Sequence, residues 1–187
     1  MFAENAGTAF VKVKTTDGSR LSRTCRVKVI DPVPIESLTI SQSEITLVSG
    51  QKSQLEARAI PTNTTSGIRW MTDDESIATV SSNGMVTTHK PGTTTITAYC
   101  NEGLESQCQV TVIQMNPTQI AIEQYDQYTL AVDGAAANGT ITWNSSNANV
   151  VTVTNGRIMG VKPGTAVVSA TYNGKKVNCT VTVKNIP

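Results

Sequence analysis

Apolar and polar residues alternate in short runs along nearly the whole chain, and turn-forming residues separate the runs. SLTI puts Leu38 and Ile40 on one face. ITLVSGQKSQLEARAI gives a run, a turn at Ser49-Gly50 and a second run carrying Leu55, Ala57 and Ala59. GIRWMT, SIATV and GMVTTHK follow, and then the longer pair TTTITAYC and SQCQVTVI. Beyond Pro117 the order recurs as IAI, QYTLAVDG, TITWNS, NVVTV, GRIMGV and a final pair. Period-two alternation predicts half-buried strands, with apolar side chains inward and Thr, Ser and Lys outward. No long stretch has a helical apolar period. Short strands with turn signals about every 8–12 residues predict an all-β fold built from sandwiches.

Two parts of the chain are one segment written twice. The first reads WMTDDESIATVSSNGMVTTHKPGT from Trp70, the second WNSSNANVVTVTNGRIMGVKPGT from Trp143. Each Trp lies seven residues before an aliphatic (Ile77, Val150), and a Val follows three later (Val80, Val153). An Asn-Gly pair comes next (Asn83-Gly84, Asn155-Gly156), then Lys-Pro-Gly-Thr (Lys90 to Thr93, Lys162 to Thr165). An internal repeat of this kind means an array of similar modules. Aromatic residues are only 4% of the chain, so each Trp has to matter to its module. The expected core is Trp70, Ile77 and Val80 in one copy and Trp143, Val150 and Val153 in the other, with Cys108 and Cys179.

A partial third copy leads the chain. GTAFVKVKTTDGSRLSRTCRVKVI has the form of GTTTITAYCNEGLESQCQVTVI (92–113) and GTAVVSATYNGKKVNCTVTVK (164–184). The turns Asp17-Gly18, Glu102-Gly103 and Asn173-Gly174 predict hairpins, because a type I′ turn needs two positive-φ residues. Residues 1–31 therefore read as the closing hairpin of an incomplete module, 32–114 as a complete module and 115–187 as a second. Pro32-Val33-Pro34 and Met115-Asn116-Pro117 read as linkers, since proline cannot continue a central strand. Short, proline-bearing linkers predict semi-rigid stacking. The inward face of the leading hairpin (Val11, Val13, Cys25, Val27, Val29) would be exposed if it stood alone. That predicts packing on the next module, pairing with another chain's edge as a donor strand, or disorder.

Charge changes the picture little. The chain carries 15 basic and 14 acidic residues, spread along it, for a net charge of +1. That leaves no electrostatic footprint for nucleic acid or an anionic membrane. No apolar stretch is long enough to insert in a bilayer. MFAENAGTAF lacks the basic and apolar regions of a signal peptide. Cys25, Cys108 and Cys179 share one repeat position, in phase with Val, and read as small buried hydrophobes. Cys100 is the extra one. A Cys100–Cys108 disulfide forms if the two oppose each other across their hairpin; the other register sets Cys108 opposite Ile96. No CxxC or Cys/His cluster points to a metal.

The combined pattern is W-x-S-x-[DN]-x-x-[VI]-x-x-V, N-G-x-[VI], K-P-G-T-x-x-[IV]-x-A and C-x-V-T-V. In that order, and repeated, it resembles the group-2 bacterial immunoglobulin-like domain over nearly the whole chain. The resemblance implies tandem immunoglobulin-like β-sandwiches of the intimin and invasin type, found in surface adhesins, cell-wall proteins and phage structural proteins. It implies a stalk, spacer or adhesive role and brings no catalytic residue with it. The second module departs from the first at Asp133 to Gly139, where the first has ARAIPTNTTSG.

Candidate chemistry is sparse. Asp73-Asp74-Glu75 has the charge for calcium but not the spaced ligands, and reads as a solvated turn. His89 is the single histidine, and Val161 takes its place in the second module. No catalytic, cofactor-binding or metal-binding residue is expected. Tyr125 and Tyr128, with Tyr172, are candidates for an aromatic patch that takes a glycan, or for packing at a strand end. The expected role is a non-enzymatic tandem segment of a larger bacterial cell-surface protein, extracellular, acting as stalk, spacer or adhesion module. The chain then starts inside a longer protein. Its partners are neighbouring repeats of the same protein and a host glycan or protein receptor. The alternatives are a virion protein attached to capsid protein through its N-terminal hairpin, and a carbohydrate- or receptor-binding module.

Overall fold

The computed structural model describes residues 5–186; Met1 and the other terminal residues lie outside them. Every regular element among the described residues is a strand. The leading hairpin is β1 (Gly7–Lys14) and β2 (Ser22–Val29). The first module contains β3 (Ser37–Ile40), β4 (Glu44–Val48), β5 (Lys52–Gln54), β6 (Ala57–Ile60), β7 (Arg69–Thr72), β8 (Ala78–Val80), β9 (Met85–Thr88), β10 (Gly92–Tyr99) and most of β11 (Glu105–Asn116). The second contains β12 (Gln119–Glu123), β13 (Gln127–Thr129), β14 (Ala131–Asp133), β15 (Thr142–Ser145), β16 (Val151–Thr154), β17 (Arg157–Gly160), β18 (Gly164–Tyr172) and β19 (Lys175–Lys184).

The two modules are built alike. In the first, β4, β11, β10 and β7 form one sheet, with β4 parallel to β11 and the other pairs antiparallel. In the second, β12, β19, β18 and β15 repeat that order and those directions. The second layer is β5-β9-β8 in one and β13-β17-β16 in the other. Between the layers lie Leu47, Leu55, Val86, Ile96, Cys108 and Val110 in the first module, and Ile122, Leu130, Ile158, Val168, Cys179 and Val181 in the second. Trp70, Ile77 and Val80 pack against the first core, and Trp143, Val150 and Val153 against the second, all partly buried.

Those partly buried residues close on glycines. Gly84, at φ +82°, lies beneath Trp70: a Cβ there would meet the indole Cζ2 at 2.8 Å and collide with the Leu55 carbonyl oxygen. Gly156, at φ +83°, stands in the same relation to Trp143, with Cζ2 at 3.0 Å and the Leu130 carbonyl oxygen at 2.8 Å. Ile77 Cδ1 would lie 2.8 Å from a Cβ on Gly92, and Val150 Cγ2 3.2 Å from one on Gly164. Trp, Asn-Gly, the aliphatic and Pro-Gly-Thr thus recur together because they are two interlocking pairs.

The hairpin turns differ more than their shared Gly suggests. Asn173 and Gly174 both have positive φ (46° and 74°), the type I′ geometry expected. At Glu102-Gly103 only the glycine does. Gly103 N–H donates to the Cys100 carbonyl and Cys100 N–H to the Leu104 carbonyl, which is a longer turn closed by a left-handed glycine. That turn, residues 101–103, is one residue longer than Asn173-Gly174. The register sets Cys108 opposite Ile96, as Cys179 lies opposite Val168, so the Cys100–Cys108 disulfide is not formed, and all four cysteines are free. Four residues of strand separate the two thiols along the sheet, about 13 Å, well past disulfide reach.

At the second linker the structure also departs from expectation. Met115 and Asn116 belong to β11, and residues 114–116 pair with β14. One strand therefore closes the first sandwich and opens the second, and Pro117 follows it without interrupting it. The first linker differs, since residues 30–36 form no strand. It is anchored instead at Ile35, which is buried. The Ile35 N–H donates to Glu102 Oε1 at 3.3 Å, and the Ser66 hydroxyl donates to the same oxygen. Hydrogen bonds from Ser66, then the Cys100 thiol and Ile35 N–H, hold the Glu102 carboxyl down at about 2. The leading hairpin itself is formed, yet no side chain of residues 5–34 is buried, so it does not pack on the first module.

Two outcomes follow. Gly50 also has positive φ (+83°), but open space surrounds its Cβ position. Gly50→Ala should cost only the left-handed conformation, about 1–2 kcal/mol, whereas Gly84→Ala should cost roughly 3 or more, because Trp70 must also move. Urea unfolding read by pulsed labelling of the buried Cys108 thiol, which reports the first module alone, checks the order. Glu102 has a folded pKa below its ordinary value, so its contribution is present above about pH 4.5 and fades as pH falls towards 2. Glu102→Gln should be less stable than the parent at pH 6, and the gap should narrow as the pH falls to 2; an equal gap at both would refute the assignment.

Candidate functional site

The most constructed surface of the molecule is the junction between the modules. Ile113 and Met115 are buried, and with Val48 of the first module they join the core of the second. The second module's loop butts onto the first through Gly134, at φ +82°. A Cβ on Gly134 would collide with the Val112 carbonyl oxygen and lie 2.8 Å from the Gly92 backbone nitrogen. Asn116 Nδ2 donates to Asp133 Oδ2 at 2.8 Å across the β11–β14 pair. Asn173 Nδ2, in the last hairpin turn of the second module, donates to Thr46 Oγ1 of the first at 3.1 Å. Sequence reasoning missed this surface. The one available signal was Asp133-Gly134 at the segment where the two modules differ, and it has no meaning until the partner strand is known.

The tyrosines do not form one patch. Tyr125 is 66% exposed in a turn at φ +72°, and Tyr128 is 41% exposed on β13. Tyr172 is buried over Gly139, and the Ala136 N–H donates to its hydroxyl at 3.4 Å. Tyr172 is thus a packing residue, while Tyr125 and Tyr128 remain open to a ligand. Polar residues and both tips sit on an uncharged stretch of chain, apart from Asp126 between them.

The remaining polar candidates are accounted for locally. Asp74 Oδ1 accepts the Ser76 N–H at 2.8 Å, and the side chain and backbone of Ser76 hold this carboxyl below its ordinary range. Asn147 does the same for Asn149 at 3.1 Å, so the shared [DN] is a turn-forming residue. His89 is exposed, its Nε2 3.1 Å from Thr79 Oγ1, with no carboxylate hydrogen-bonded to it among the described residues. No group of three metal-ligating side chains occurs among the described residues. Burial, and next the Glu44 charge, push the Cys108 thiol up to about 11; burial raises Cys179 as well. Both are unreactive packing groups. Among the described residues no nucleophile, base and oxyanion site are brought together.

The bacterial Ig-like domain (group 2) family matches residues 34–112 and again 109–183. An uncharacterized protein of Clostridium acetobutylicum is 32% identical over 174 residues, covering 83% of this chain and 18% of its own length. The chain therefore spans under a fifth of that relative. An Ig-like virion protein of Serratia phage KSP90 is 26% identical, covering 87% of this chain and 71% of the relative. Among solved structures, a C-terminal fragment of intimin in complex with its translocated receptor's intimin-binding domain aligns at 17% identity. It covers 81% of this chain and 65% of the fragment, with a TM-score of 0.48. The two matched copies overlap at residues 109–112, within the strand that the modules share. With two copies matched across most of its length, the chain belongs to the bacterial Ig-like domain (group 2) family.

Proposed function

We propose that this chain is a non-enzymatic stalk or spacer segment of a larger bacterial cell-surface protein, carrying an adhesive part away from the cell. The observation that supports this reading is β11. A strand shared by two cores transmits load and orientation without a flexible hinge, which a spacer requires and a soluble catalytic domain does not. The free tyrosines Tyr125 and Tyr128 give the same segment a surface suited to a glycan. Likeness to an Ig-like virion protein favours a second reading, a virion component attached through the leading hairpin.

Three measurements test these readings. Residual dipolar couplings from the two modules should fit one alignment tensor. Gly134→Val should make them require two, while Cys108 and Cys179 stay protected. Two tensors in the unaltered chain would remove the basis of the spacer reading. An antibody to the chain should label intact producing cells; label found only on purified virions would move the assignment to the second reading. On a glycan array, any signal should fall at least about tenfold with Tyr125→Ala if the exposed rings stack on sugar, and silence across the array leaves the spacer role without adhesion.

A further inference from the structure

The sequence holds four Asn-Gly pairs, at Asn83, Asn138, Asn155 and Asn173. A glycine after asparagine leaves the next backbone nitrogen unshielded by any side chain. That nitrogen can attack the side-chain carbonyl of the asparagine, so each pair carries its own route to modification. The reaction asks two things of the fold. The glycine N–H must be free of an acceptor, and the peptide must have room to swing towards the asparagine Cγ.

Three of the four pairs fail. Gly84 N–H donates to the Ser81 carbonyl and Gly139 N–H to the Ala136 carbonyl, both at 2.9 Å. Gly84 also lies beneath Trp70, and Gly139 beneath Tyr172. Gly156 is buried beneath Trp143, and its carbonyl accepts the Leu130 N–H at 2.9 Å, so that peptide is pinned from both sides. Asn173-Gly174 meets both conditions. Gly174 is exposed, nothing lies within 4 Å of its Cβ position, and its N–H has no acceptor among the described residues.

Asn155 is an internal control for this comparison. Asn155 and Gly156 hold φ +47° and +83°, and Asn173 and Gly174 hold +46° and +74°, which is one turn type used twice. What differs is the tryptophan over one glycine and the open space over the other.

Asn173 is also where the modules touch. Its Nδ2 donates to Thr46 Oγ1 at 3.1 Å. Apart from the Asn116–Asp133 bond on β11, no other side-chain hydrogen bond joins the modules among the described residues. Glu44, Thr46, Thr111 and Asn173 line one groove at this contact. A side chain tethered at Nδ2 is not free to swing towards Gly174. The contact between modules therefore restrains the reaction at the one pair that the fold otherwise leaves open.

We propose that Asn173 is a deamidation site gated by the module junction. The Gly174 nitrogen attacks Asn173 Cγ; a C–N bond forms as the Cγ–Nδ2 bond breaks. Nδ2 leaves as ammonia and takes the proton of the Gly174 N–H. Water then opens the cyclic imide at either carbonyl, giving aspartate or isoaspartate, with no change of oxidation state. The donor to Thr46 is removed permanently, and a negative charge is added to the groove that Glu44 lines. The turn thus keeps a chemical record of junction opening, while β11 still holds the modules together.

The test incubates the full chain near neutral pH and follows each pair by peptide mass spectrometry, which reads the replacement of NH2 by OH. The same chain in urea is the reference, and there the four pairs should convert at similar rates. In the folded chain Asn173 should convert at least about tenfold faster than Asn83, Asn138 or Asn155, because closed structure limits the reaction at those three. Thr46→Val should speed Asn173 about threefold to tenfold, the worth of one exposed hydrogen bond, and leave the other three unchanged. A folded-state rate at Asn173 no higher than at the other pairs would overturn the site. So would a urea reference in which the four already differ in that order. An unchanged Asn173 rate in Thr46→Val, with Cys108 and Cys179 still protected, would overturn the gating.

Discussion

Each module turns on a side chain lying where a glycine has none. The edge of Trp70 occupies the space over Gly84, and Trp143 that over Gly156; Ile77 and Val150 do the same over Gly92 and Gly164. These contacts tie a strand of one sheet to a turn of the other layer. They fix the spacing of the layers where a small domain has little core to spare. A methyl group on either glycine would force the neighbouring side chain and the layer it belongs to apart, in an interior packed at crystal density. The remaining core, mostly Val, Ile and Leu on alternating positions, then fills a gap whose width is already set.

The same economy governs how modules join. Strand β11 ends one sandwich and begins the next, so the junction has no chain of its own to flex. Ile113 and Met115 point into the second core, and Gly134 admits the second module's loop against the Val112 carbonyl only because it lacks a side chain. Bending here would expose those residues and break the β11–β14 pairing together. The leading junction lacks this device. Its extra residues leave β2 before the first module begins, and Ile35 and Glu102 fasten only the near end of the connection.

Much of this was legible from the residues. Alternation gave the strands, and repetition gave the modules and the residues that hold them. What stayed hidden involved partners distant in sequence. Trp70 and Gly84 are both visible, but nothing local says that one lies on the other. The fate of Cys100 and Cys108 hung on the register of their hairpin, which sets Cys108 opposite Ile96 just as Cys179 lies opposite Val168, and no residue type states that register. Met115-Asn116-Pro117 reads as a linker because proline excludes itself from a ladder, yet the two residues before it are free to pair, and they do. Tyr172 resembles the other tyrosines until Gly139 is found beneath it.

Charge says more when it is read by segment. Six of the 15 basic residues and three of the 14 acidic ones lie in residues 1–31, so this segment is net positive and the two modules together net negative. The placement within the segment matters more than the total. Four of the six cations fall on the face bearing Phe10 and only Arg23 on the face bearing Val11 and Cys25. A hairpin shaped to stand alone in water would gain by placing charge on both faces. Here one face is kept nearly free of charge and the other is crowded with it, which is the division that a sandwich imposes on its outermost strands.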